Sequence, residues 1–268
     1  MKAIQQLSPA EESVLNKYRE IGGVIDHVLI NGEGALGSTE EAHREAAILT
    51  LDTLQKKREQ EVGEHVSKDS LFMQYKDCKS IDEALKTFGN KDLIISIKEE
   101  GKDVVVEFKN EHKDPGTYWH MTYKTDGMTG ERITMEQFLG PYFDIKTKHL
   151  FARGRHRDFL NDYFRAGEEE SKKNIVFSAG TSPQHEGYAY SFSEPPYSVR
   201  IHGIELQQLF DEMVKTVLGD LPSDAVIYRW NTDCSNYFDA GKEWWGSFFW
   251  TLYLPDGRFV GIAASTTD

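Results

Sequence analysis

The chain has 268 residues, with 31 Lys plus Arg against 44 Asp plus Glu, so its formal net charge at neutral pH is −13. Affinity for nucleic acid comes largely from basic side chains that displace counterions from phosphates, so this balance argues against direct nucleic-acid binding. It also disfavours adhesion to anionic membranes. The hydrophobic share of 39% and the charged share of 28% are those of a globular protein, which excludes wholesale disorder.

The cysteines and the apolar runs indicate a cytoplasmic setting without membrane association. Cys78 and Cys234 are too few for a disulfide scaffold or a Cys-rich zinc site. The first residues lack the apolar stretch of a secretory signal. The longest strongly apolar run, Trp245 to Leu254, is about half of the roughly 20 residues that a membrane-spanning helix needs.

Helix start signals dominate the first 90 residues. In a capping box, Ser or Thr is followed three residues later by Glu or Gln, and the pair satisfies two backbone amides at the helix start. Such boxes predict helices over Ser8 to Glu20, Ser38 to Gln60, Ser80 to Gly89 and, further on, Thr134 to Gly140.

From Asp92 the apolar residues alternate, which is typical of strands. Leu93 to Phe108 predicts a hairpin, and a turn at Thr125 to Gly127 follows another expected strand. The remaining predicted strands are Thr117 to Lys124, Asn174 to Ser178, Gly187 to Phe192, Tyr197 to His202, Ala225 to Trp230, Trp244 to Leu254 and Arg258 to Ser265. Two more helices are predicted over Arg155 to Arg165 and Ile204 to Leu218.

Strands and helices do not alternate regularly, which favours an α+β fold over a doubly wound parallel sheet. We predict a mainly helical N-terminal region, residues 1–90, and an α+β domain, residues 91–268. The second region would contain a mixed, mainly antiparallel sheet with packed helices.

A glycine-rich segment, Gly32, Gly34 and Gly37, follows an apolar run and precedes a helix, as in loops that hold a dinucleotide pyrophosphate. The predicted helix starts after the third glycine, however, and Glu33 would bring negative charge towards the phosphates. A flexible connection is therefore the favoured interpretation, and no cofactor is predicted.

A basic segment stands out on this acidic chain: it carries five positive charges and no acid, on Lys146, Lys148, Arg153, Arg155 and Arg157. Such a cluster can bind a phosphate, a nucleotide or an acidic patch on a partner. The alternative is that these side chains pair with the protein's own surplus carboxylates.

No pattern predicts a catalytic residue or a metal site. Cys234 could act as a nucleophile only if the fold brought His185 or His202 beside it. No histidine pair has the spacing of a zinc-binding motif. The adjacent pairs Asp26-His27 and His185-Glu186 are as readily explained as core or loop residues.

The segment with Trp244, Trp245, Phe248, Phe249 and Trp250 is unusually aromatic and is the predicted partner-binding surface. As a strand it would be apolar on both faces. Either it is the central strand of a sheet covered on both sides, or one face is buried by a second subunit or a partner.

These observations favour a non-enzymatic acidic protein that binds another protein, and we expect it to form a homo-oligomer. By analogy, such a protein could block its partner, as small inhibitors from phages and mobile elements do. The alternative is an enzyme or sensor for a small phosphorylated ligand or nucleotide, held by the glycine-rich or the basic segment. A cysteine-dependent hydrolase is the third possibility.

Overall fold

A computed structural model describes residues 1–4, 6–32, 39–68, 72–75, 94–100, 103–108, 121–153, 163–166 and 185–266. The chain forms two compact units. The first comprises Met1–Leu54 and Thr122–Asp268, and the second comprises Gln55–Met121. The predicted boundary between residues 90 and 91 lies outside the described residues and stays a prediction.

The strands and helices follow in chain order. They are β1 (Lys2–Ala3), α1 (Pro9–Glu20), β2 (Ile25–Asn31), α2 (Glu40–Lys68), β3 (Phe72–Tyr75), β4 (Ile94–Glu100), β5 (Asp103–Phe108), β6 (Gly130–Ile133), α3 (Met135–Leu139), β7 (Phe143–Asp144), β8 (His149–Arg153), β9 (Tyr163–Arg165), α4 (Tyr188–Ser193), α5 (Gly203–Val217), β10 (Val226–Trp230), α6 (Asp239–Lys242), β11 (Phe248–Tyr253) and β12 (Arg258–Ala264).

The first unit is built on a six-stranded sheet in the order β1-β2-β12-β11-β10-β6. Every neighbouring pair in it is antiparallel. A short sheet, β7-β8-β9, belongs to the same unit, and the second unit contains β3-β5-β4. Helices with a mainly antiparallel sheet confirm the predicted α+β class, and β4 with β5 confirms the predicted hairpin.

Helices cover both faces of the large sheet. One face carries Trp250, Leu252 and Ile262, which join a single apolar core with residues of α1, α3, α4 and α5. On the opposite face, Thr251 of β11 lies 2.8 Å from the His43 side chain of α2. The aromatic strand is therefore buried on both sides within the chain, as a central strand requires.

The predicted helix starts are satisfied locally. Ser8 and Glu11 form both halves of a capping box at α1, and Thr134 and Gln137 do the same at α3. At α2 the predicted Ser38 lies outside the described residues, and the hydroxyl of the next residue, Thr39, accepts from the Ala42 amide at 3.2 Å. The helix continues past the predicted end to Lys68.

Glu11 also joins α1 to the start of β12. Its carboxylate lies 2.7 Å from the Arg258 guanidinium. Burial alone would raise the pKa of Glu11, but hydrogen bonds from Ser8 and Arg258 outweigh it and lower that pKa. The pair ties the helix that covers one face to the sheet itself.

Four predicted elements are wrong in their described parts. Gly187 to Phe192 forms helix α4, which is buried on every side and so lacks an amphipathic pattern. Tyr197 to His202 forms turns and irregular chain, and residues 121–124 make only a single bridge, between Tyr123 and Ser235. The end of the predicted helix Arg155 to Arg165 is strand β9. The predicted elements Ser80 to Gly89 and Asn174 to Ser178 lie outside the described residues.

Candidate functional site

The structure divides the predicted partner-binding residues. At most 6% of the surface is exposed on Trp245, Phe249 and Trp250. A partner cannot reach these three residues, so the prediction is wrong for them. Phe248 is half-buried. Trp244 is 51% exposed, although its neighbour Trp245 is in the core.

Trp244 pairs with a residue that the sequence did not single out. Tyr197 is 73% exposed, and its ring centroid lies 6.1 Å from that of Trp244 in an edge-to-face arrangement. We call these two residues the aromatic pair. The only sequence signal near Tyr197 is the turn-forming Pro195-Pro196, and the predicted strand over Tyr197 to His202 concealed it.

Buried contacts hold both segments of the aromatic pair in place. The indole of Trp245 donates to the Glu194 carbonyl at 2.7 Å and stacks on Tyr190 with 5.7 Å between ring centroids. The Gly246 amide donates to the Gly241 carbonyl at 2.7 Å. A Cβ on Gly241 would lie 2.3 Å from the Gly246 carbonyl oxygen, so this close turn requires glycine.

The chain segment before Trp244 is negative. From residue 233 to 244 it carries Asp233, Asp239 and Glu243 against Lys242, a net charge of −3 + 1 = −2. The Lys242 ammonium lies 2.8 Å from Asp233 and 3.4 Å from Asp239. Partial burial opposes charge on Lys242, but these hydrogen bonds prevail and raise its pKa. Glu243 and Trp244 are both exposed.

A second feature of the first unit is a pocket of about 440 Å³ beside α5, which we call the α5 pocket. Its walls come from the β7–β8 loop, from α5, from the turn after α5 and from Met135 of α3. The lining residues are Met135, Phe143, Ile145, Thr147, Lys148, His149, Gln207, Phe210, Asp211, Val214, Lys215, Asp220 and Leu221.

Gln207 fixes the loop of the α5 pocket to the helix. Its side-chain oxygen accepts from the Leu150 amide at 2.9 Å, and its nitrogen donates to the Lys148 carbonyl at 3.1 Å. The same nitrogen donates to the Asp211 carboxylate at 2.8 Å. Gln207 is 6% exposed, and these three hydrogen bonds satisfy most of the donors and acceptors of its buried amide group.

The basic segment contributes only in part to this pocket. Lys148 lines it and Lys146 is exposed beside it. Arg153 lies in β8, and its side chain lies outside the described part of the structure. Arg155 and Arg157 lie outside the described residues.

The structure explains why the first residue of the glycine-rich segment is glycine. A Cβ on Gly32 would lie 2.5 Å from the Gly257 carbonyl oxygen, so the chain approaches the β11–β12 turn too closely for a side chain. Gly34 and Gly37 lie outside the described residues.

The residues considered for catalysis or metal binding are buried or separated. Cys234 is 4% exposed, and burial raises its pKa to about 11. The charged groups that act on this pKa are Lys242 and Asp233, and the described hydrogen bond of the thiol goes to the Asn231 carbonyl. Asp26 accepts from Tyr237 at 3.0 Å and His27 bonds Tyr188 at 2.9 Å, on opposite faces of β2. Within the described part of the chain, no three His, Cys, Asp or Glu side chains could hold one metal ion.

The chain matches no protein-family model, no curated protein and no solved structure. In the ranges that the structure describes, no helix has both the length and the apolar character needed to cross a bilayer.

Proposed function

We propose that this protein is a non-enzymatic binding protein that recognises a basic surface of another protein through the aromatic pair. The observation that carries the proposal is the exposure of Tyr197 and Trp244, side by side, on loops fixed by buried contacts. Large aromatic side chains supply much of the binding energy at protein interfaces. Because their loops are already ordered, less conformational entropy is lost on binding.

The charge of the region indicates the chemistry of the partner. The net charge of −2 over residues 233–244 and of −13 over the chain favours a partner with exposed Lys and Arg. A guanidinium or ammonium group can bind on the face of Trp244 or Tyr197, and Glu243, the exposed residue before Trp244, adds negative charge to the same segment. Such binding would cover the basic surface of the partner, which is the action that the inhibitor hypothesis expects.

The experiment compares capture from native cell extract by three forms of the full chain at low and high salt. They are the wild type, the double variant Tyr197→Ala with Trp244→Ala, and Ile204→Ala. Ile204 is the matched control, since it is 53% exposed and lies on α5 outside the aromatic pair. Equal melting temperatures establish that all three are folded.

We expect the wild type and Ile204→Ala to retain a basic protein at low salt, and the double variant to lose it. Retention should fall at high salt because exposed charges are screened. Equal retention by all three forms, or retention that does not depend on salt, would contradict the proposal.

The expected homo-oligomer is a separate proposal with its own measurement. Light scattering of the purified wild type gives its mass in solution. A dimer that dissociates in the double variant would make a second copy of the chain the partner of the aromatic pair. A monomer would exclude self-association, and the proposed partner would then be a different protein.

A further inference from the structure

We infer that the α5 pocket binds a small organic anion that has an apolar body and one carboxylate or phosphate group. Its volume of about 440 Å³ falls within the usual range for ligand sites. At about 30 Å³ for each water-sized group, the pocket holds about fifteen non-hydrogen atoms. This site is independent of the aromatic pair.

The apolar part of the ligand is specified by the inner wall. Phe210 and Val214 are buried on α5, and Phe143 and Leu221 close the wall from the sides. Ile145 at the tip of the β7–β8 loop remains 40% exposed. An exposed isoleucine on a pocket lining offers apolar surface that a ligand can remove from water.

The anionic part is specified by the charges that the protein leaves without a partner. Among the described ion pairs, neither Lys148 nor Lys215 has a carboxylate within 4.0 Å. Asp211 already accepts from Gln207. The lining also contains Asp220, so with Asp211 its formal charges total +2 − 2 = 0 on a chain of −13, and Lys148 and Lys215 are the cations of the lining that remain open to an anion.

The backbone around these charges is held in an unfavourable conformation. Lys148, Asp220 and Leu221 have φ angles of +57°, +62° and +50°, and they are three of the four described non-glycine residues with positive φ. All three line the α5 pocket. Strained backbone tends to concentrate at binding sites, where it orients the groups that meet the ligand. Here Gln207 fixes the carbonyl of Lys148, which helps to set the position of that residue.

The test is calorimetric titration of the full chain with four probes of one chain length, below their micelle concentrations. They are octanoate, octyl phosphate, octanol and octylammonium. We expect both anions to bind, and octanol and octylammonium to bind at least about tenfold more weakly, since the cation–anion contact is lost. The anion that binds more tightly identifies the preferred head group, and a preference for either carboxylate or phosphate supports the inference.

Two variants and a matched control locate the binding. Lys148→Gln with Lys215→Gln should weaken octanoate by about tenfold or more, while Lys146→Gln, an exposed lysine outside the lining, should leave it unchanged. Ile145→Ser should weaken octanoate and octanol alike. All four substituted positions are exposed, so the melting temperatures of the three variants should match that of the wild type. Octanol bound as tightly as octanoate, no binding of any probe, or full affinity in the double lysine variant would overturn the inference.

Discussion

Gly261→Ala tests how closely α2 packs against the central sheet. A Cβ on Gly261 would lie 1.8 Å from the Thr50 hydroxyl oxygen and 2.8 Å from Thr50 Cβ. Thr50 is fully buried, and its hydroxyl donates to the Ala46 carbonyl at 2.7 Å. The added methyl must therefore displace the helix or rotate Thr50 away from that bond. Overpacking costs about 1–3 kcal/mol and the lost hydrogen bond about 1 kcal/mol, so we expect about 3 kcal/mol less stability.

Urea unfolding followed by tryptophan fluorescence measures this loss, because Trp230 and Trp250 lie in the same sheet. Thr50→Ala removes the 1.8 Å contact, so the double variant should be at least about 1 kcal/mol more stable than the sum of the single effects predicts. Gly257→Ala is the control: its φ of +85° makes alanine unfavourable, but nothing lies within 4 Å. Its effect should add to that of Thr50→Ala. A Gly261→Ala protein within about 0.5 kcal/mol of the wild type, or strict additivity with Thr50→Ala, would refute the packing.

Three further predictions follow from buried groups. Burial lowers the pKa of His27 to about 4, against about 6.5 when unfolded. The contribution of His27 to stability should therefore be constant above pH 6.5 and fall by about 3 kcal/mol between pH 6.5 and 4. Urea unfolding of His27→Gln across that range should show a flatter profile, and an unchanged slope would contradict the assignment. Gln207→Leu should cost about 1–3 kcal/mol, because the Leu150 amide loses its acceptor; a variant as stable as the wild type in the same assay would count against that bond. In a Cys78→Ser background, Cys234 should react with a thiol reagent at least about a hundredfold more slowly than free cysteine, whereas rapid reaction of the folded protein would show an accessible thiolate.

The parts of the fold that the sequence predicted well depend on short-range physics. Ser8 with Glu11 and Thr134 with Gln137 form their capping boxes within one helical turn, so the local sequence suffices. The amphipathic period of Ile204 to Leu218 likewise predicted α5 closely. The turn Pro255 to Gly257 correctly placed the β11–β12 hairpin.

The failures come from burial that only the fold creates. Tyr188 to Ser193 is buried throughout, and its aromatic residues favour strands when considered locally. Its helical state depends on packing against partners such as Phe138 and Phe210.

The candidate sites were predictable only in fragments. Trp244 and Lys148 were singled out by composition, but Tyr197 and Lys215 come from distant parts of the chain. No local pattern indicates that Trp244 faces solvent while Trp245 is buried. That difference arises because the Trp245 indole finds an acceptor at Glu194 and a ring at Tyr190.

Radical footprinting with mass spectrometry, on the free protein and on the captured complex, tests partner binding through the aromatic pair most directly. In the complex, labelling of Tyr197 and Trp244 should fall severalfold, while labelling of the half-buried Tyr253 on β11 should stay constant. Unchanged labelling of Tyr197 and Trp244 in a stable complex would contradict the proposed function.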